Sequence, residues 1–132
     1  MGEELIVAGI GCRKGATEKE IEAAIQAALK EAGRPQGAIG LIATSDGKGG
    51  EPGIVAAAAA RRLRLVLVGP AELEAAGSRT QSSSPLVKAL AGVPSVAEAA
   101  ALAAGGPSAK LILPRISVGP VTCALADTGD AP

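Results

Sequence analysis

The sequence predicts an α/β fold: one three-layer domain with a mainly parallel sheet and a C-terminal hairpin. Three observations carry this reading. Short apolar runs alternate with helical patterns through the first half of the chain, at the pitch of βαβ units. Glycines and prolines punctuate the ends of those runs. The last stretch holds two apolar runs with no helical pattern between them.

Leu5–Ile10 is β-branched and bounded by glycine, so it reads as a buried strand. A loop, Gly11–Ala16, follows. Thr17 then opens a helix, and Glu20 three residues later completes a capping box. Ile21, Ala24, Ile25, Ala28, Leu29 and Ala32 recur at helical spacing, while Glu18, Lys19, Glu22, Gln26 and Lys30 take the opposite face. Gly33 suits the left-handed position after the helix, and Pro35 forbids continuation.

Ala38–Ala43 reads as a second strand, and Thr44–Glu51 as a polar, Gly-rich loop. Pro52 suits the first turn of a helix reaching about Arg62. Leu63–Val68 is a third strand, and Pro70 starts a short helix to about Ala76. Three parallel strands with right-handed crossovers result. Gly77–Ser84 is expected to be a loop and Pro85–Leu90 a short helix. Ser95 and Glu98 form a second capping box for a helix over Val96–Ala104, stopped by Gly105-Gly106. Lys110–Leu113 and Val118–Ala126 read as the final hairpin, joined through Pro114–Ser117. Residues 1–127 are expected to form the domain and 128–132 a disordered tail.

Composition narrows the chemistry. The 132 residues include no His, Phe, Tyr or Trp, yet 48% are hydrophobic, so the core is built from Leu, Ile, Val and Ala. Lack of His excludes a Ser-His-Asp triad, a Cys-His dyad and an imidazole metal site. Lack of aromatic rings removes the stacking platform for single-stranded nucleic acid. Thirteen basic and thirteen acidic residues cancel, leaving no electrostatic footprint for a nucleic acid or an anionic membrane. The longest uncharged stretches, Ala99–Ala109 among them, are eleven residues, short of the ~20 a membrane helix needs. The acidic start, Met1-Gly2-Glu3-Glu4, is not a signal-peptide pattern. Cys12 and Cys123 match no metal-ligand spacing. A reduced, cytoplasmic setting is expected, with no cofactor.

In an open parallel sheet, ligands gather at the carboxyl ends of the strands. The loop following the first strand, Gly11-Cys12-Arg13-Lys14-Gly15, offers backbone N–H groups near a helix start together with two cations, the makings of an anion cradle. Its glycines equally suit a tight turn and a close helix–strand approach. The spacing from Gly9 is GxGxxxG instead of GxGxxG, and no Gly-Lys-Ser/Thr follows, so neither common nucleotide motif is met. Cys12, beside two cations and ahead of a helix, is a candidate nucleophile, but with no His as its partner it is expected instead to be a small buried residue closing a tight turn. Cys123 reads as core. The second loop gathers Thr44, Ser45, Asp46, Lys48 and Glu51, where Asp46 and Glu51 could act as general acid and base. Glu51, just before Pro52, is expected instead to serve the helix N-terminus. Arg115 is a further cation if its strand points the same way; otherwise it is an exposed hairpin arginine.

Val7-Ala8-Gly9-Ile10-Gly11-Cys12-Arg13-Lys14-Gly15, then Thr17 and Glu20-Ile21, resembles the CobE proteins and the C-terminal domain of CbiG, both of cobalamin (vitamin B12) biosynthesis. Similar stretches follow in order: Ala43-Thr44, Lys48, Glu51-Pro52-Gly53, Ala71-Glu72-Leu73, Ser84 with Val87, and Gly92 to Ala100. Leu111-Ile112 and Thr122 to Ala124 complete a resemblance spanning nearly the whole chain. Gly50, where the family often has an acidic residue, and Arg115, where it commonly has lysine, depart from the pattern. The resemblance implies a three-layer α/β fold and a part in building the corrin ring. Full-length CbiG opens a lactone on cobalt-precorrin-5A and releases acetaldehyde, a reaction of the whole protein; CobE belongs to the aerobic route. Corrin intermediates are apolar macrocycles fringed with carboxylates. The expected ligand-binding set is therefore Gly11, Cys12, Arg13, Lys14, Gly15, Thr44, Lys48, Glu51 and Arg115, with Cys12, Asp46 and Glu51 as the catalytic alternatives. Other cobalamin biosynthetic enzymes are the expected protein partners if the domain is instead a docking module.

Overall fold

The strand β1, Ile6–Cys12, is the middle of a five-stranded mixed sheet in a computed structural model that describes residues 6–12, 15–46, 51–77, 96–106 and 109–128. The chain continues through α1 (Glu18–Ala32), a 3-10 turn (Gln36–Ala38), β2 (Ile39–Ser45), α2 (Pro52–Ala60), β3 (Arg64–Val68) and α3 (Pro70–Gly77). It ends with α4 (Val96–Gly105), β4 (Lys110–Val118) and β5 (Val121–Asp127). Strand order is β3-β2-β1-β5-β4. β1, β2 and β3 are parallel; β5 lies antiparallel between β1 and β4. The helix expected at Pro85–Leu90, the Gly77–Ser84 loop beyond Gly77, the Ser95 cap and the tail beyond Thr128 lie outside the described residues, as do Arg13, Lys14 and Lys48.

α1 forms as its caps dictate. Thr17 Oγ1 accepts the Glu20 N–H at 3.1 Å, and Glu20 Oε1 accepts the Thr17 N–H at 2.9 Å. Gly33, at φ 70°, closes the other end, and the Arg34 N–H returns to the Leu29 carbonyl. The apolar stripe Ile21, Ala24, Ile25, Ala28 and Leu29 is fully buried. Each of its three large side chains contributes about 2 kcal/mol by leaving water.

Two cores sandwich the sheet. On one face, α1 and α2 cover Ile6, Ala8, Ile10, Cys123 and Leu125. On the other, α4 and Leu73 of α3 meet Val7, Ala43, Val68 and Ala126. The second core is thin. A Cβ on Gly9 would run into the Ala97 carbonyl and approach the Ala101 backbone nitrogen to 2.8 Å. Glycine on the strand and alanine on α4 thus let backbones nearly touch, which explains much of the Gly/Ala composition. The helix that needs this glycine is α4, not the neighbouring α1.

Several boundaries move from the expected positions. β1 runs through Gly11 and Cys12, which pair with Thr122 and Val121 instead of lying in a loop. β2 likewise extends through Thr44 and Ser45. β4 does not stop at Leu113; it passes through Pro114–Ser117, and the hairpin turns at Gly119-Pro120, with Gly119 at φ 60°. An edge strand tolerates Pro114 because its missing N–H is not needed, and the pairing register slips around it. Arg115 is therefore a strand residue, not a turn residue.

Candidate functional site

Four helices begin at one edge of this sheet. α1, α2 and α3 follow β1, β2 and β3, so their N-termini stand at the carboxyl ends of those parallel strands. α4 joins them from a distant part of the sequence. Its Ala97 nitrogen lies 3.8 Å from where a Gly11 Cβ would be, while its last residue, Gly105, reaches Val7 at the other end of β1. The partial positive ends of four helix dipoles thus face one border, which favours anions there.

The expected residues divide by what holds them. The Gly15 N–H donates to Glu51 Oε1 at 3.0 Å, tying the segment after β1 to the residue ahead of α2. Glu51 is the N-cap residue of α2 but makes no side-chain cap hydrogen bond; its carboxylate crosses to the neighbouring loop instead. Behind this contact a Cβ on Gly53 would collide with the Ala16 carbonyl, so α2 starts hard against the entry to α1. Thr44 is fully buried, and its Oγ1 donates to the Ile10 carbonyl at 2.7 Å, pinning β2 to β1 just before Gly11. Thr122 Oγ1 does the same from β5, donating to the Gly11 carbonyl at 3.2 Å.

Asp46 is exposed just past β2, and its Oδ2 lies 3.9 Å from the position of a Gly69 Cβ; Glu72 Oε1 lies 2.7 Å from the same point. These two carboxylates gather beside Gly69, just after β3. Cys12 is half-buried at the end of β1, opposite Val121 and packed against the α1 core, and forms no disulfide. Cys123 is fully buried, and burial pushes its thiol pKa up to about 12, which suits a core residue.

β4 is antiparallel to β5, itself antiparallel to β1, so β4 runs in the same sense as β1. The condition of direction placed on Arg115 holds, but β5 separates its strand from β1. Arg115 is exposed in the irregular stretch between the Leu113 and Ile116 pairings. Its backbone N–H donates to Glu98 Oε2 at 3.0 Å. Glu98 is a fully buried carboxylate, although its spacing from Ser95 predicts only a cap. Its signal was present: α4 has no polar face, so a lone glutamate among buried alanines had to lie inside.

Elsewhere, an open depression of about 730 Å³ follows the outer flank of α1, lined by Ala23, Gln26, Ala27, Lys30, Arg34 and Pro35. It lies towards the end of α1 remote from the four N-termini. Among the described residues, no group of His, Cys, Asp or Glu side chains is arranged to hold a metal ion, and no helix is long and apolar enough to cross a membrane.

Comparison with known proteins agrees with this architecture. The family model described as cobalamin synthesis G C-terminus matches residues 6–126. Protein CobE of Sinorhizobium sp is 37% identical over 121 residues, covering 92% of this chain and 79% of that protein. The crystal structure of CobE, a protein from the cobalamin (vitamin B12) biosynthetic pathway, superposes with a TM-score of 0.82 at 34% identity, covering 94% of this chain and 90% of that one. Cobalamin biosynthesis protein chiG from Agrobacterium tumefaciens follows, with a TM-score of 0.77 and 43% identity over 95% of this chain and 99% of that one. A putative cobalamin biosynthesis protein G homolog from Sulfolobus solfataricus gives a TM-score of 0.70 at 27% identity; the match covers 96% of this chain and 38% of that one.

Proposed function

The chain belongs to the cobalamin-biosynthesis family that comprises CobE and the C-terminal part of cobalamin synthesis protein G, and from that premise we propose that it binds or carries a corrin-ring intermediate through the ring's carboxylates. The observation that carries this reading is the convergence of four helix N-termini on the border where Gly11, Cys12, Gly15 and Glu51 meet. Carboxylates fringing a macrocycle find there backbone N–H groups and the positive ends of helices. Arg13, Lys14 and Lys48 belong by sequence to the same two loops, and Arg115 stands on β4, separated from β1 by β5. These cations supply the charge-assisted contacts. A sequence without aromatic residues offers a flat apolar ring only aliphatic contacts, which suit a ligand held loosely enough to be released.

A carrier role also fits the state of Glu51. Its carboxylate is engaged by the Gly15 N–H, whereas an acid–base pair with Asp46 would need both groups turned to substrate. Cobyrinic acid, a corrin with free carboxylates, is the probe for a spectroscopic titration of the wild type and an Arg13→Ala/Lys14→Ala double variant. Saturable, salt-sensitive binding that weakens about tenfold or more in the double variant is expected. Equal affinity in both proteins, or no binding by either, would refute the proposal. Turnover of a cobalt-precorrin by the chain, abolished by Cys12→Ser, would establish the catalytic alternative.

A further inference from the structure

The two edges of the sheet are built differently. β4 slips register twice along its pairing with β5, contains Pro114, and carries Lys110 and Arg115. These are the features that keep an edge strand from pairing with another chain. β3 has neither proline nor bulge; it pairs with β2 in unbroken register from Arg64 to Val68. Beside it, Leu67 is 48% exposed and Val55 on α2 is 46% exposed. Leu63 and Leu65 pack into the α1/α2 core, so the alternation of the strand places Leu67 on the face where α2 lies. α2 itself is apolar all round, with Val55, Ala59 and Ala60 exposed. A helix of that kind is ordinarily covered.

Charge identifies what covers it. Arg62 and Arg64 are exposed at the start of β3, and neither has an ion-pair partner among the described residues. At the other end of the strand, the exposed Asp46 and Glu72 carboxylates flank Gly69. One end of the edge is basic and the other acidic. We propose that this edge is a dimer interface, with β3 pairing antiparallel to β3 of a second copy of this chain about a two-fold axis at Val66. Arg64 then stands opposite Val68, and Arg62 opposite Pro70, so each basic end meets the acidic end of its mate, twice over. A parallel arrangement would set like charges together. The two-fold axis also brings the Leu67 and Val55 surfaces of both copies to one side of the joined sheets.

Sedimentation velocity of the full chain across a concentration series tests this proposal. The wild type is expected to form a concentration-dependent dimer, and the amides of residues 64–68 to gain hydrogen-exchange protection as it forms. Leu67→Lys and Arg64→Glu alter exposed side chains, and each should weaken the dimer about tenfold or more, with unchanged circular dichroism confirming folding. Arg64→Glu combined with Glu72→Arg should restore association by exchanging the charges. A wild type that stays monomeric, or a dimer indifferent to both single substitutions, would overturn the interface. Failure of the charge exchange to restore a weakened dimer would overturn the antiparallel pairing.

Discussion

Glu51 Oε1 accepts the backbone N–H of Gly15 at 3.0 Å, so a carboxylate placed before one helix fastens the loop that enters another. The same glycine stands at φ 87° with open space around it. The contact joins the two loops that the proposed corrin site shares. Glu51→Ala should cost about 1 kcal/mol of stability, the usual worth of such a bond near the surface. It should also weaken cobyrinic acid binding several-fold. Chemical denaturation and the titration above measure both. Glu51→Gln keeps an acceptor oxygen and should recover most of the stability.

Gly9→Ala should be far more damaging than Gly15→Ala. The new methyl at position 9 has to displace the α4 backbone at Ala97 and Ala101, which costs about 3 kcal/mol as overpacking. At position 15 the methyl meets nothing within 4 Å, and only the left-handed backbone resists it, at about 1 kcal/mol. Thermal unfolding of the two variants should separate them clearly.

The Arg61–Glu22 pair sets a pH-dependent increment. Arg61 Nε and an Nη donate to the two oxygens of Glu22 at 2.9 and 2.6 Å, bridging α1 and α2. The Arg61 hydrogen bond is the main cause holding the Glu22 pKa below its ordinary 4.5, opposed by desolvation. A depressed acid stabilises the fold above its unfolded pKa, and that contribution disappears as pH falls through the lower folded value. Arg61→Ala should therefore cost about 1 kcal/mol at neutral pH, discounted for partial exposure. Its deficit against the wild type should shrink as the pH is lowered through and below 4.5. Urea denaturation from neutral to acid pH gives the measurement.

Elements with local signals were legible in the sequence. Thr17 and Glu20 fix the start of α1, Gly33 fixes its end, and Pro52 marks the first residue of α2, all as observed. What depended on distant partners was not. Pro114 looks like a turn residue until β4 is known to lie at the edge of the sheet. Gly9 looks like part of a loop motif until α4 arrives against it. Glu51 and Glu98 occupy ordinary capping positions, but their carboxylates serve Gly15 and Arg115 on other elements. For the candidate site, sequence order sets the segments after β1 and β2 at the carboxyl ends of the parallel strands, where α1 and α2 begin. It did not reveal that Thr44 turns inward, or that Arg115 is anchored through its own backbone.

The irregular β4 edge has a consequence for growth. An edge with a proline, two register slips and charged residues cannot template another strand, so sheet extension across the molecule stops there. Among the described residues, β3 is then the one sheet edge with unbroken register and no proline. If β3 pairs with β3 of a second copy as proposed, a β4 edge of this kind would close the assembly at two copies.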